Sequence, residues 1–243
     1  MSALGRPRVH LRSTDSTNER ARLLAAAGAP HGTLVTASAQ TAGRGRQGRR
    51  WTAPENSSLL MSLILRAPGP LLPLIAAVAV CDVAGEDARI KWPNDVVLER
   101  SGGLAKLAGI LVEGRPQEGW AVLGIGLNVA VRPKDMPAEL RDRTASLGGS
   151  AQEIEPTLGR LLRALEHRLG ERDEAMLEAW RARDALRDRE IAWGGPGPGE
   201  QVGRGRAHGI DGLGRLIVAL ADGGRTALGA GEVHLVDPDS LDT

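Results

Sequence analysis

The sequence contains neither phenylalanine nor tyrosine, so five tryptophans supply all of its large aromatic surface. Leu, Val, Ile and Ala must therefore fill the core of this 243-residue chain. Its single cysteine, Cys81, excludes an internal disulfide and suits a reducing compartment. No segment reaches the ~18 apolar residues of a membrane span, and the N-terminus lacks the apolar core of a signal peptide. We therefore expect a cytoplasmic protein that does not bind membranes.

Charge is nearly balanced, with 31 basic and 30 acidic residues and a net charge of +1. This balance gives no global electrostatic basis for binding nucleic acid or a membrane surface. Almost all the cations are arginines, because only Lys91, Lys106 and Lys134 are lysines. A lysine in such a chain suggests that the position needs a compact ammonium group rather than the planar guanidinium group of arginine.

Apolar periodicity predicts an α+β fold in which a mixed β-sheet is flanked by helices. Ser16-Thr-Asn-Glu19 matches a capping box, so we expect the first helix to begin near Thr17 and end before Gly28. Further helices are predicted over 70–85, 156–169 and 175–187. Strands are predicted over 33–38, 58–66, 89–92, 96–98, 107–113 and 120–129.

Composition changes after Arg189, where Gly-Gly-Pro-Gly-Pro-Gly occupies 194–199. Four short strand-like segments follow, at 202–207, 215–221, 226–228 and 232–236, separated by Gly and Asp turns. We therefore predict two domains, 1–187 and 188–243, of which the second is a small barrel.

The most unusual segment is the loop Gln40-Thr-Ala-Gly-Arg-Gly-Arg-Gln-Gly-Arg-Arg-Trp51. Its Gly-x-Gly-x-x-Gly pattern is a weak dinucleotide signal, because the residues that follow cannot open a regular helix. Glycines allow backbone amides to approach a phosphate, and arginine forks match phosphate or carboxylate oxygens. These features are typical of an anion clamp; a solvated basic loop and a nucleic-acid tether are the alternatives, and composition alone favours the solvated loop.

Five segments in order resemble the signature blocks of the biotin protein ligases: 15–18, 40–51, 91–95, 106–113 and 124–128. The resemblance implies a class II synthetase-like catalytic domain followed by an SH3-like β-barrel. It also implies a monofunctional enzyme without an N-terminal DNA-binding domain, and hence no specific DNA binding. The implied reaction activates biotin with ATP and transfers it to a lysine of a biotin carboxyl carrier protein.

The family resemblance also implies residue roles. Biotin-binding residues are expected to be Ser16, Thr17, Asn18, Gln40, Gly43, Arg44, Gly45, Arg46 and Lys106. Nucleotide-binding residues are expected to be Arg46, Arg49, Trp51, Asn94 and Asn128. The catalytic residues are expected to be Lys106, Arg46 and Asp95. Capping for Ser16 to Asn18, a turn role for Asp95 and a core or loop-anchor role for Trp51 remain alternatives.

The expected chemistry joins a carboxylate to the α-phosphate of ATP, so catalysis should rest on positioning and charge neutralisation. No protein metal site is expected, because Mg²⁺ would be held mainly by phosphate oxygens and water. A lipoate ligase or octanoyl transferase, a nucleic-acid-binding module and an inactive relative remain rival interpretations. The sequence leaves the oligomeric state open, with a homodimer as one alternative.

Overall fold

The structure is a computed structural model that describes residues 4–115, 118–194, 201–229 and 231–236. A seven-stranded sheet forms its centre, in the order β1-β2-β3-β7-β6-β5-β4. β1 and β2 are parallel, and the other neighbouring pairs are antiparallel. The strands are β1 (Arg8–Thr14), β2 (Leu34–Gln40), β3 (Ser58–Arg66), β4 (Arg89–Lys91), β5 (Asp95–Arg100), β6 (Gly103–Arg115) and β7 (Trp120–Asn128).

Four helices accompany the sheet: α1 (Thr17–Ala26), α2 (Leu72–Ala84), α3 (Ile154–Leu169) and α4 (Asp173–Arg181). α2 contacts α3 and α4 as well as strands β4, β5 and β6, so it is apolar around most of its circumference. α3 and α4 are amphipathic: Leu158, Leu161 and Leu165 of α3 and Met176, Leu177 and Trp180 of α4 are buried. α1 packs on β3 and β7. Within the described ranges, no helix is both long and apolar enough to cross a membrane.

A second, five-stranded antiparallel sheet follows, in the order β11-β10-β9-β8-β12. Its strands are β8 (Glu190–Gly194), β9 (Gln201–Ile210), β10 (Leu216–Ala219), β11 (Arg225–Leu228) and β12 (Glu232–Leu235). In the described part of this sheet, β11 pairs only with β10 and β12 only with β8. The sheet is therefore open there, and the predicted barrel stays a prediction.

The two sheets share one apolar core. Ile191 and Leu216 of the second sheet belong to the same buried cluster as the α2 residues. The indole Nε1 of Trp92 donates to the carbonyl oxygen of Gly214 at 3.1 Å. A Cβ at Gly214 would lie only 2.6 Å from Leu74 Cδ1 on α2. The predicted boundary between 187 and 188 stays a prediction, and the segments on its two sides pack together.

The sequence located most elements, with three differences. The capping box at Ser16 is wrong, because the Ser16 side chain makes no capping hydrogen bond. Gln40 Oε1 instead accepts from the Thr17 amide at 2.8 Å, and Glu19 binds arginines. The helix predicted to Arg187 ends at Arg181, since the following residues pair with Ile90. Strands β1 and β8 were not predicted.

Gly214 gives a test of the contact between the two sheets. Its φ of 75° is in the left-handed region, and an added methyl group would collide with Leu74. Gly214→Ala should therefore destabilise the protein by about 1–3 kcal/mol in urea unfolding. Gly212→Ala is the matched control, because a Cβ there meets nothing within 4 Å, and we expect a change below about 0.5 kcal/mol. Equal stability of both variants would contradict this packing.

Candidate active site

Three glycines on one face of the large sheet form a depression that we call the glycine recess: Gly109, Gly124 and Gly126. Gly109 pairs with Gly126 across β6 and β7. A Cβ at Gly124 would lie 2.1 Å from Asn18 Oδ1, and one at Gly126 would lie 2.5 Å from Trp51 Cε2. The missing side chains therefore make room for Asn18 and Trp51, and the alternate β7 residues face the core.

A polar cluster lies beside the recess, where β2 ends and α1 begins. Gln40 Oε1 accepts hydrogen bonds from the Thr17 amide and hydroxyl, at 2.8 and 3.1 Å. Ser62 Oγ on β3 lies 2.8 Å from Thr17 Oγ1 and 2.6 Å from Asn18 Oδ1. Ser16 and Asn18 are also buried. These hydroxyl and amide groups are held in fixed positions, as recognition of a neutral polar ligand requires.

The Gly/Arg loop folds into a small hairpin. The Gly45 amide donates to Arg49 O at 2.8 Å, and the Trp51 amide donates to Gly43 O at 3.0 Å. Gln47 and Gly48, with φ of 53° and 76°, turn the chain. The hairpin delivers the Trp51 indole to the glycine recess, where its Nε1 is buried without a hydrogen-bond partner.

Arg46 extends from this hairpin to the turn before β5. Its Nη1 donates to Asn94 Oδ1 at 3.2 Å, while Asn94 Nδ2 donates to Ile110 O at 2.9 Å. Burial lowers the pKa of the Arg46 guanidinium, and nearby Arg49 adds to this effect, whereas Asp95 opposes it. Arg46 is thus a partly desolvated cation whose neutral partner leaves its charge available.

Cations outnumber acids in the pocket. Lys106 Nζ lies 2.7 Å from Asp95 Oδ1 and 5.8 Å from the centroid of the Trp51 ring. Burial lowers the pKa of the Lys91 ammonium, as do the positive charges of Lys106, Arg49 and Arg143, whereas Asp95 raises it. Asp95 is the one acidic side chain among the described residues that line the pocket. Such a site favours an anionic ligand.

The structure brings twelve of the predicted site residues to one pocket. They are Ser16, Thr17, Asn18, Gln40, Arg44, Gly45, Arg46, Arg49, Trp51, Asn94, Asp95 and Lys106. Gly43 does not line this pocket. It is buried in the hairpin, where a Cβ would lie 2.5 Å from Trp51 O.

Asn128, which was predicted to bind the nucleotide, is also not among the residues that line the pocket. It is 3% exposed, its Nδ2 donates to Ala145 O at 2.9 Å, and its Oδ1 accepts from Ser58 at 3.0 Å. These bonds tie the end of β7 to the segment that precedes α3. Both ends of the carboxamide are therefore occupied by protein groups.

Several residues of the glycine recess and the pocket were missed from sequence. Ser62 faces the recess because it pairs with Gly124 across β3 and β7, and strand alternation could have indicated this. Gly231 and Val233 reach the pocket from the second sheet, which no local pattern could show. No group of three or more His, Cys, Asp or Glu side chains suited to a metal occurs in the ranges that the structure describes.

Comparisons with known proteins agree with this geometry. Residues 10–129 match the Biotin/lipoate A/B protein ligase family. The biotin--[acetyl-CoA-carboxylase] ligase of Mycobacterium tuberculosis is 36% identical over 241 residues, which cover 91% of this chain and 86% of that protein. The chain belongs to the biotin protein ligase family.

Two further similar proteins differ in how much of each chain the match covers. The bifunctional ligase/repressor BirA of Bacillus subtilis is 44% identical over 150 residues, which cover 57% of this chain but 45% of that protein. The chain thus matches less than half the length of this relative. The biotin protein ligase from Aquifex aeolicus in complex with biotin and ATP has a TM-score of 0.80 and 24% identity, covering 95% of this chain and all of that chain. This likeness shows the fold.

The position of Trp51 in this ligase-family pocket can be tested without a ligand. Gly126→Ala should push the half-buried indole toward water and shift its fluorescence to longer wavelength, because the new Cβ would lie 2.5 Å from the ring. The same substitution in a Trp51→Phe background should cause no shift. Gly69→Ala, where a Cβ meets nothing within 4 Å, is the control. An equal shift in both backgrounds would show that another tryptophan responds.

Proposed function

We propose that this protein activates biotin with ATP to biotinyl-5'-adenylate and transfers the biotinyl group to a lysine of a biotin carboxyl carrier protein. One observation carries the proposal: a polar cluster for a neutral ring and a cationic cluster for an anion line the same glycine recess. Gly124, beside Asn18, and Gly126, beside Trp51, are two residues and hence about 7 Å apart on β7. A ligand with a ureido ring at one end and a carboxylate at the other can span that separation.

In the proposed binding mode, the ureido ring meets Ser16, Thr17, Asn18 and Gln40. These side chains supply both donors and acceptors, which a ureido group needs. The carboxylate then points toward Lys106. Gly45 lies in the hairpin beside this site and belongs to the proposed closing loop, together with Arg44 and Arg46. Gly43 contributes by shaping the hairpin.

In the first half-reaction, a biotin carboxylate oxygen attacks the α-phosphorus of ATP, and pyrophosphate leaves. Both reactants are anions, so the protein must reduce their repulsion. Lys106 and Arg46 line the pocket and provide charge for the carboxylate and the α-phosphate, and Arg49 provides charge for the outer phosphates. Asn94 orients Arg46, and Trp51 offers a flat surface beside the nucleotide. Asn128 has no role in this scheme, because its amide is bound elsewhere.

In the second half-reaction, the carrier lysine attacks the biotinyl carbonyl carbon as a neutral amine, and AMP leaves. Asp95 is the proposed proton acceptor, since it is the acidic group beside Lys106. Mg²⁺ fits the site only as a partner of the nucleotide, because one lining carboxylate is too few for a protein metal cage. When bound, it would neutralise phosphate charge, with Asp95 as the available protein carboxylate.

The wider organisation is also part of this proposal. We assign residues 1–187 to a catalytic unit and 188–243 to an SH3-like barrel that contributes Gly231 and Val233 to the pocket wall. The carrier would be a subunit of acetyl-CoA carboxylase or a related carboxylase, as the name of the Mycobacterium relative suggests. We propose a cytoplasmic reaction without specific DNA binding, in line with a single buried thiol and a net charge of +1. A homodimer is compatible with this scheme.

Lys106 provides the direct test of the activation step. The wild type should release pyrophosphate from ATP only when biotin is present, and Lys106→Ala should slow this release by roughly 100- to 1,000-fold. Lys106→Arg should restore the rate only in part, because the planar guanidinium places its charge differently. Thermal unfolding serves as the folding control. Biotin-independent release by the wild type would contradict the function, and an unchanged rate in Lys106→Ala would contradict the role of Lys106.

Arg46 should retain the adenylate rather than bind biotin. If it holds the phosphate through charge-assisted hydrogen bonds of about 2–3 kcal/mol, Arg46→Gly should release the adenylate roughly 30- to 150-fold faster. The released adenylate should acylate exposed lysines of an unrelated protein, which a biotin blot detects. Equal labelling by wild type and variant, with equal adenylate lifetimes, would show that Arg46 is not the clamp.

A further inference from the structure

Glu113 on β6 connects the polar cluster to the Gly/Arg hairpin. Its Oε2 accepts a hydrogen bond from Asn18 Nδ2 at 2.9 Å, and its Oε1 accepts one from Arg44 Nη1 at 3.3 Å. Its side chain is 25% exposed, so the carboxylate lies between the buried cluster and the solvent. One carboxylate therefore contacts both the proposed ring-binding residue and the proposed closing loop.

The first contact determines how Asn18 faces the pocket. A carboxylate can only accept hydrogen bonds, so Asn18 must turn its NH₂ group toward Glu113. The other end of the amide, Oδ1, then lies 2.6 Å from Ser62 Oγ. Asn18 is 4% exposed, so an amide turned the other way would leave buried polar atoms without partners. Glu113 thus selects one orientation of the Asn18 amide.

The second contact determines the position of the hairpin. Arg44 Nη1 also donates to Glu19 Oε2 on α1 at 2.8 Å, so two carboxylates hold one guanidinium. Arg44 pairs with Arg50 across the hairpin. Arg46 is only two residues further along the chain, so the anchor at Arg44 limits where Arg46 can reach. Arg44 thereby anchors the loop.

We infer that Glu113 is a positioning residue that links biotin recognition at Asn18 to the position of the closing loop through Arg44. The inference rests on the proposed function, since biotin is the ligand at Asn18. The two oxygens of one carboxylate carry the coupling: a movement of Asn18 that shifts Glu113 also shifts the anchor of Arg44. By thermodynamic reciprocity, closing the loop strengthens biotin binding as much as biotin favours closure.

Glu113 variants separate the two contacts. Glu113→Gln keeps an oxygen that can accept from Asn18 but removes the charge that holds Arg44. Glu113→Ala removes both. Glu19→Gln is the matched control, because it weakens the same Arg44 anchor and leaves the hydrogen bond between Asn18 and Glu113 in place.

The two readouts are the dissociation constant for biotin, from calorimetry, and the rate of tryptic cleavage within residues 44–50, with and without saturating biotin. In the wild type, we expect biotin to slow cleavage. Glu113→Ala should raise the biotin dissociation constant by at least about fivefold, because a buried amide donor loses its acceptor. Glu113→Gln should change that constant by less than about twofold, yet raise loop cleavage about two- to fivefold, as expected for a partly exposed ion pair.

Glu19→Gln should raise loop cleavage by a similar factor, but biotin should still slow that cleavage. In Glu113→Ala, saturating biotin should no longer do so. The inference is overturned if Glu113→Ala, with its thermal midpoint intact, binds biotin within twofold of the wild type. It is also overturned if biotin protects the loop equally in Glu113→Ala and Glu19→Gln. A wild type that binds no biotin would instead contradict the proposed function itself.

Discussion

The site depends on a sheet face from which three side chains are missing. Hydrogen bonds between paired strands hold the backbone of a sheet in place. Side chains from other segments can therefore approach its face most closely where the strand residues are glycines without a Cβ. Gly109, Gly124 and Gly126 create that space on neighbouring positions of β6 and β7. Asn18 and Trp51 come from different segments and can meet over one floor because of it. The hairpin that carries Trp51 is aligned by the same contact, so the position of Arg46 also follows from the glycines.

The second constraint is electrostatic. Among the described residues, six cationic side chains and one carboxylate, Asp95, line the pocket, and burial lowers the pKa of two of the cations, Lys91 and Arg46. Lys106 forms an ion pair with Asp95, whereas Arg46 donates a hydrogen bond to the neutral amide of Asn94. An anionic ligand can therefore replace Asp95 and Asn94 as the partner of cations that are already oriented. Asp95 and Asn94 hold the cationic side chains in position, which limits the rearrangement that ligand binding requires.

Local sequence patterns predicted the features that depend on neighbouring residues. The apolar runs of β3, β7 and α2 and the polar residues at strand ends followed from side-chain periodicity, and the pocket residues followed from ordered motifs. Hydrogen-bond partners that are distant in sequence could not be predicted from such patterns. Asn128 was expected at the ligand but bonds to Ala145, and Ser16 was expected to cap α1 although Gln40 binds the Thr17 amide. Strand β1 escaped prediction because it is a mostly exposed edge strand with little apolar alternation.

The way the recess is filled has a consequence for evolution and for redesign. The side chain nearest to a Cβ at Gly126 or Gly109 is the indole of Trp51, which comes from a loop and not from the sheet. Removing the indole would therefore enlarge the pocket, and one position of the hairpin determines how much of this space is open. A shorter residue in place of Trp51 would leave the strands, their pairing and the glycines as they are. Such a change would uncover a notch able to admit bulkier substrate analogues, so selectivity by size can change while the architecture stays constant.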